Sequence, residues 1–337
     1  MPAQALKKKN LAPSRPPSID AVAVNAMLIA VRQAANILCD RWSLLTLLLA
    51  HSGASRFGDF SSRGGMASRL LTSRLAMLEE QEIMTRMPYS RRPLRHDYFL
   101  THMGLSLFDV FATMARWERT WHGSAGGIGL TIEHQSCGEA DVFPVPRCTS
   151  CDAPIAARDI KPRVGQRQLE PMRTKETSYR RSTLSTTKPG LGSRAPLAHA
   201  IDVFGDKWGI ELIMCLFNRV RNFSGFQAQL GISTNILSDR LARLVALGIL
   251  RPSTALDRLG KGAYELTEKG IDLHPILLAI QAWADEWLRD RLRSPVSFEH
   301  RLCGSLLQMR LSCDQCGAAL TRRNSRITLG TPAPATG

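Results

Sequence analysis

Leucines recur at helical spacing in two places along the chain. In residues 67–79 (ASRLLTSRLAMLE), Leu71, Leu75 and Leu78 fall at i, i+4 and i+7, and Leu237, Leu241 and Leu244 repeat the pattern in residues 233–245. Such a period puts an apolar stripe on one side of a helix and leaves the opposite side polar. Ser68 and Ser233 are the expected N-caps, because a side-chain oxygen there can accept an unpaired backbone N–H. Upstream, apolar helices are predicted over residues 42–51 and 208–218, each preceded by a short helix and followed by another, at 57–63 and 223–229. Downstream, β-type stretches at 83–87 and 97–100 flank SRRPLRH, and those at 249–252 and 263–266 flank LDRLGKG. Thr101 and Thr267 are then expected to cap a long amphipathic helix carrying paired tryptophans. Four helices, a hairpin and a helix is the order of a winged helix-turn-helix, so the expected class is mainly α with small β wings.

The two sets of elements are one unit written twice. A shift of 166 aligns Asp40-Arg41-Trp42 with Asp206-Lys207-Trp208, Phe57 and Phe60 with Phe223 and Phe226, and Arg74-Leu75-Ala76 with Arg240-Leu241-Ala242. It also aligns Leu100-Thr101 with Leu266-Thr267, Gly104 with Gly270, and Trp117 and Trp121 with Trp283 and Trp287. A tandem duplication follows. The expected domains are winged helices at 25–130 and 195–295, small zinc-ribbon-like segments at 131–160 and 296–322, a basic linker at 161–194, and disordered tails at 1–24 and 323–337.

Charge adds a partner. Lys and Arg total 44 against 29 Asp and Glu, a net charge of +15, which favours a polyanion. With the leucine stripe facing the core, the free helix face offers Ser68, Arg69, Thr72 and Ser73 in unit one and Thr234, Asn235, Ser238 and Asp239 in unit two. Hydroxyls, Asn and Arg are groups that read base edges in the major groove, although a simply solvated face has the same composition. Arg91, Arg92 and Arg95 in one hairpin, and Arg258 and Lys261 in the other, concentrate charge at wing tips where phosphate contact is easy. Arg74 and Arg240 join the candidate DNA-binding set, but they sit beside the leucine stripe and could equally bridge to an acid of their own domain. No apolar run approaches the length of a membrane span and the N-terminus lacks the apolar core of a secretory signal, so a cytoplasmic protein is expected.

In that compartment eight cysteines read as thiols or metal ligands before disulfides. Cys39 and Cys215 are expected to be buried small hydrophobes. The other six fall beside histidines: His134, Cys137, Cys148 and Cys151 in one unit, and His300, Cys303, Cys313 and Cys316 in the other. Taken in chain order, each set makes one zinc-ribbon site of two knuckles, giving up to two structural zinc ions. A metal-free cluster and a thiol–disulfide switch are the alternatives. A zinc hydrolase is disfavoured, because each set already fills a tetrahedron and no motif places a separate base.

The motifs GDKW, NFSGFQAQLGISTNILSDRLARLVALGIL and YELTEKG, followed by a tryptophan-bearing helix, resemble the HxlR family of winged helix-turn-helix transcriptional regulators. The first unit (CDRW, RFGDFSSRGGMASRLLTSRLAMLEEQEIM, YFLTHMG) is a more diverged match. The resemblance implies a non-enzymatic, sequence-specific regulator of duplex DNA, with repression the favoured sign and the effector unspecified. It also implies dimers packed through the first and last helices, met here by an intrachain pseudo-dimer or a homodimer. Redox-sensing members resemble one another in a cysteine 13 positions before the motif tryptophan, where this chain has Ile29 and Ala195. The alternative reading is a redox- or metal-responsive regulator switched at the Cys/His clusters.

Overall fold

The computed structural model describes residues 28, 31–123, 129–164, 195–256, 262–288 and 296–330. Residues 31–38 form helix α1. Unit one continues with α2 (Arg41–His51), α3 (Phe57–Gly64), α4 (Ser68–Glu80), β1 (Met84–Arg91), β2 (Leu94–Leu100), α5 (His102–Leu105) and α6 (Phe108–His122). Unit two repeats the order in α7 (Ala198–Phe204), α8 (Lys207–Phe217), α9 (Phe223–Leu230), α10 (Thr234–Ala246), β6 (Leu250–Leu256), β7 (Gly262–Leu266), α11 (Glu268–Ile271) and α12 (His274–Trp287). The leucine stripes of α4 and α10 are buried, as their period requires.

Local details correct the expected boundaries. Ala67, not Ser68, is the N-cap of α4, and Ser233 caps α10 without a side-chain hydrogen bond. Thr101 and Thr267 do cap, accepting from the N–H of Gly104 and Gly270, but they cap only the short α5 and α11. The long tryptophan helices start after a bend, at Phe108 and His274. Gly104 and Gly270 are fixed by that bend, because a Cβ would lie 2.2 and 2.3 Å from the carbonyl oxygens of Ile83 and Ile249.

A small module follows each unit: β3 (Leu130–His134), β4 (Pro144–Cys148) and β5 (Ile160–Val164), then β8 (Val296–His300), β9 (Met309–Cys313) and β10 (Ser325–Leu329). Residues 161–164 therefore belong to a strand rather than to the linker, and 325–329 to a strand rather than to a disordered tail. The rest of that linker, the N-terminal tail and residues 331–337 lie outside the described residues. All three antiparallel ladders cross between units: β3 with β10, β4 with β9, and β5 with β8. The segments expected to be one ribbon per unit are a single interleaved module.

The crossing obeys a pseudo-two-fold axis. Asp40 bridges to Asp206, its own counterpart under the shift. Trp117 Nε1 donates to the carbonyl of Lys269 at 3.0 Å, and Trp283 Nε1 to that of Met103 at 3.0 Å, a reciprocal pair across the seam where α6 packs on α12. An isologous interface has this reciprocity.

Candidate nucleic-acid interface and metal centres

The candidate recognition helices, α4 and α10, are held from behind and open in front. Ser68, Arg69, Thr72 and Ser73 on α4 are exposed, as are Thr234, Asn235 and Ser238 on α10. Asp239 is half-buried and paired with Arg240. Ile236 adds an exposed apolar group beside Asn235. The leucine period alone does not single it out, since an apolar residue next to the stripe reads as core, yet an apolar side chain there can meet a thymine methyl.

Arg74 and Arg240 leave the candidate DNA-binding set. Arg74 Nε lies 2.7 Å from Asp40 Oδ2, and Arg240 Nε contacts Asp206 Oδ2 at 2.5 Å, with both guanidinium groups largely shielded from solvent. Asp40 also caps α2 through Ser43. The aspartate of each repeated triplet thus ties a recognition helix to the axis. Burial pushes the Asp206 carboxyl up, against the pull of Arg240. The sequence leaves these arginines ambiguous because the acid that decides the matter is 34 residues away in each unit.

In the first wing Arg91, Arg92 and Arg95 are exposed at the turn between β1 and β2. Met87, Tyr89, Leu94 and Phe99 are exposed on the same hairpin, with the Arg56 guanidinium 4.9 Å from the centre of the Tyr89 ring. Arg258 and Lys261, the cations expected in the second wing, lie outside the described residues.

The structure brings all eight metal-ligand candidates together, but in different sets from those expected. One cluster is His134, Cys137, Cys313 and Cys316; the other is Cys148, Cys151, His300 and Cys303. Each takes a histidine knuckle from one unit and a cysteine knuckle from the other. In the first, His134 Nδ1 is 3.2 Å from Cys137 Sγ and 3.5 Å from Cys316 Sγ, and Cys137 Sγ is 3.9 Å from Cys313 Sγ. In the second, His300 Nδ1 is 3.3 Å from Cys151 Sγ and 3.5 Å from Cys303 Sγ, and Cys148 Sγ is 4.0 Å from Cys303 Sγ. A tetrahedron with metal–sulfur bonds of about 2.3 Å has sulfur–sulfur edges of about 3.8 Å, so the donor set fits a zinc-sized ion. Chain order fails here for a physical reason. The strand after each histidine knuckle pairs with the other unit, which carries the nearer cysteine knuckle away and brings in its duplicate. The turn at the cysteine knuckle needs a left-handed residue, supplied by Gly317 in one copy (φ 72°) and by Asp152 in the other (φ 60°).

Cys39 and Cys215 are buried as expected, and burial raises both thiols, that of Cys215 to about 12. Among the described residues no helix is long and apolar enough to cross a membrane.

The fold agrees with what the chain is similar to. The family model for the HxlR-like helix-turn-helix matches residues 37–125 and again 203–291. Rv3095 of Mycobacterium tuberculosis, an uncharacterized HTH-type transcriptional regulator, is 36% identical over 137 residues, 40% of this chain and 85% of that protein. YvaP of Bacillus subtilis, also an uncharacterized HTH-type transcriptional regulator, is 33% identical over 90 residues, 26% of this chain and 83% of its own. The crystal structure of PA1607 matches 39% of this chain and 90% of its own at 26% identity, with a TM-score of 0.34. With both winged helices matched and their axis built into one polypeptide, the chain belongs to the HxlR family of helix-turn-helix transcriptional regulators and carries its domain twice.

Proposed function

We propose that this regulator reads two unlike half-sites on one DNA duplex and acts in the cytoplasm as a repressor. The observation that carries this reading is the pseudo-two-fold, with its reciprocal tryptophan bonds and the Asp40 bridge to Asp206, which pairs two exposed recognition helices within a single chain. One helix presents Ser68, Arg69, Thr72 and Ser73, and the other Thr234, Asn235, Ile236 and Ser238. An arginine suits guanine and an asparagine suits adenine, so the preferred halves differ. Arg91, Arg92 and Arg95 supply phosphate contacts, which position without specifying. Repression is the sign we assign with it, since a protein held on two half-sites excludes polymerase wherever its site overlaps a promoter. Selection from random duplexes tests the reading: it expects a site of two unlike halves about one helical turn apart. A palindromic optimum, or no enrichment at all, overturns it.

Zinc is the ion we assign to the clusters. One imidazole and three thiolates are a structural zinc donor set, and a filled tetrahedron leaves no position for substrate. A bound ion would supply folding energy to a segment too small to close a core of its own. Elemental analysis of protein purified without chelator, under reducing conditions, should find about two zinc per chain. Metal-free protein would remove the assignment.

A further inference from the structure

Neither copy of the C-terminal module is complete. Its three ladders are five-pair ribbons, and each takes one strand from each unit. The ladder of β4 with β9 lies on the axis itself, since Pro146 faces Leu311, its counterpart in the second copy. Its apolar core is likewise shared, with Ile132, Val142 and Ile160 from one unit beside Val296, Leu311 and Ile327 from the other. Isolated two-stranded ribbons are marginal in water. These ladders therefore depend on that shared core and on whatever joins the knuckles at their ends.

We propose that the two clusters are inter-unit metal clasps. Each takes one thiophilic divalent ion of the zinc class through two ligands from either unit, and the ions together fix the separation of the two DNA-reading helices. The inference rests on the zinc assignment above and goes beyond it, since a zinc ribbon within each unit would place no metal–ligand bond across the seam. The link from module to readers is visible in unit one. Arg119 on α6 binds the Asp141 carboxylate at 2.9 Å and the Val142 carbonyl at 3.1 Å, and its guanidinium lies 5.4 Å from the centre of the Phe143 ring. The same helix sends Trp117 across the seam. A module closed by metal therefore braces the helix on which the two units meet, and an open one releases it.

Crossed double variants of the full-length protein separate the pairings. In the clasp arrangement Cys137 and Cys316 share an ion although they belong to different units, whereas Cys137 and Cys151 serve different ions although they belong to one unit. The zinc content of wild type, C137S/C316S and C137S/C151S is expected to fall as about two, one and none per chain, four protein ligands being needed for each closed site. Ligand sets confined to each unit would give about two, none and one, and overturn the proposal. Wild type without metal would instead remove the zinc assignment on which the proposal stands. The second measurement uses a duplex selected by the wild-type protein, and the same duplex with its halves moved about five base pairs apart, half a helical turn. Wild type should prefer the original spacing by at least about tenfold, and C137S/C151S should lose most of that preference while binding an isolated half-site within about twofold of wild type. Chelated wild-type protein should behave like C137S/C151S and recover on zinc addition, which guards against a misfolded variant. Undiminished spacing preference in metal-free protein overturns the clasp.

Discussion

The winged-helix units and the module behind them come from one duplication, yet they use their second copy in opposite ways. Leu71, Leu75, Leu78 and Phe60 are buried in unit one, and Leu237, Leu241, Leu244 and Phe226 in unit two, so that each unit carries its own apolar stripe. Neither half of the module closes by itself, because each ladder and each metal-ligand cluster draws on both copies. The difference is one of size. A chain of roughly 90 to 100 residues can bury enough apolar surface to fold, whereas one of about 30 must rely on a partner or a metal.

Units and module should come apart most clearly when a unit's core is damaged. Leu75→Ala and Leu241→Ala should each cost about 2–5 kcal/mol in urea unfolding, because the leucine is fully enclosed and leaves a cavity. Zinc content should stay unchanged in the folded protein. A core variant that shed metal while still folded would show that the ligand clusters depend on the cores of the units.

On the DNA side, replacing Arg91, Arg92 and Arg95 together by Ala should lower the slope of log affinity against log salt by up to about 2.7, at roughly 0.9 for each phosphate that is no longer neutralised. Arg74→Ala should leave that slope alone and reduce stability instead, because Arg74 is already engaged by Asp40. A shared effect on the slope would return Arg74 to the DNA interface.

Smaller effects probe the seam. Trp117→Phe and Trp283→Phe each remove one indole donor and part of a buried ring, and should cost about 1–3 kcal/mol apiece. Unequal costs would mean that the pseudo-symmetry of the bonds is not matched in energy. Neighbouring polar contacts already differ: Trp121 donates to Asp272 at 2.9 Å, whereas the indole N–H of its counterpart Trp287 finds no acceptor among the described residues.

Acid acts on both units from inside their cores. His51 is held down to about 3 and His274 to about 4, both chiefly by burial. Both are neutral in the fold at pH 7. Below about 6.5 the unfolded chain takes up protons that the folded chain refuses, so their contribution to stability is complete above that pH and falls away toward about pH 4 to 3. Asp109 at the seam has the opposite sign, since burial and then Glu286 raise it to about 6. Its contribution is complete below about 4 and is lost as pH rises through about 6. The midpoint of thermal unfolding should therefore drop between about pH 6.5 and 4.5, less so in His274→Phe, and Asp109→Asn should gain most at about pH 7 and above. A pH profile unaltered by His274→Phe would exclude that histidine from the acid transition.

Much of this molecule is legible without coordinates. The leucine period locates the recognition helices to within a residue or two, the shift of 166 reveals the repeat, and the eight ligand-type residues stand out by spacing. These are local properties: a helix face, a tight bend that only glycine fits, and a knuckle two residues wide each depend on a few neighbours in the chain. The partners of those elements are not legible. Ser68 is expected as a cap one position too far along, Arg74 and Arg240 are candidates for DNA although they bind Asp40 and Asp206, and the ligand sets fall within units in chain order but across them in space.

Two winged-helix units, each with an exposed and largely polar helix face, are written in the amino-acid order, because each folds around apolar residues close together in the chain. How the duplicated parts are shared is a matter of tertiary structure alone. Each histidine knuckle could meet either of two chemically equivalent cysteine knuckles, and spacing along the chain does not distinguish them. The strand pairing does, since β4 meets β9 on the axis and carries each cysteine knuckle to the other unit's histidine.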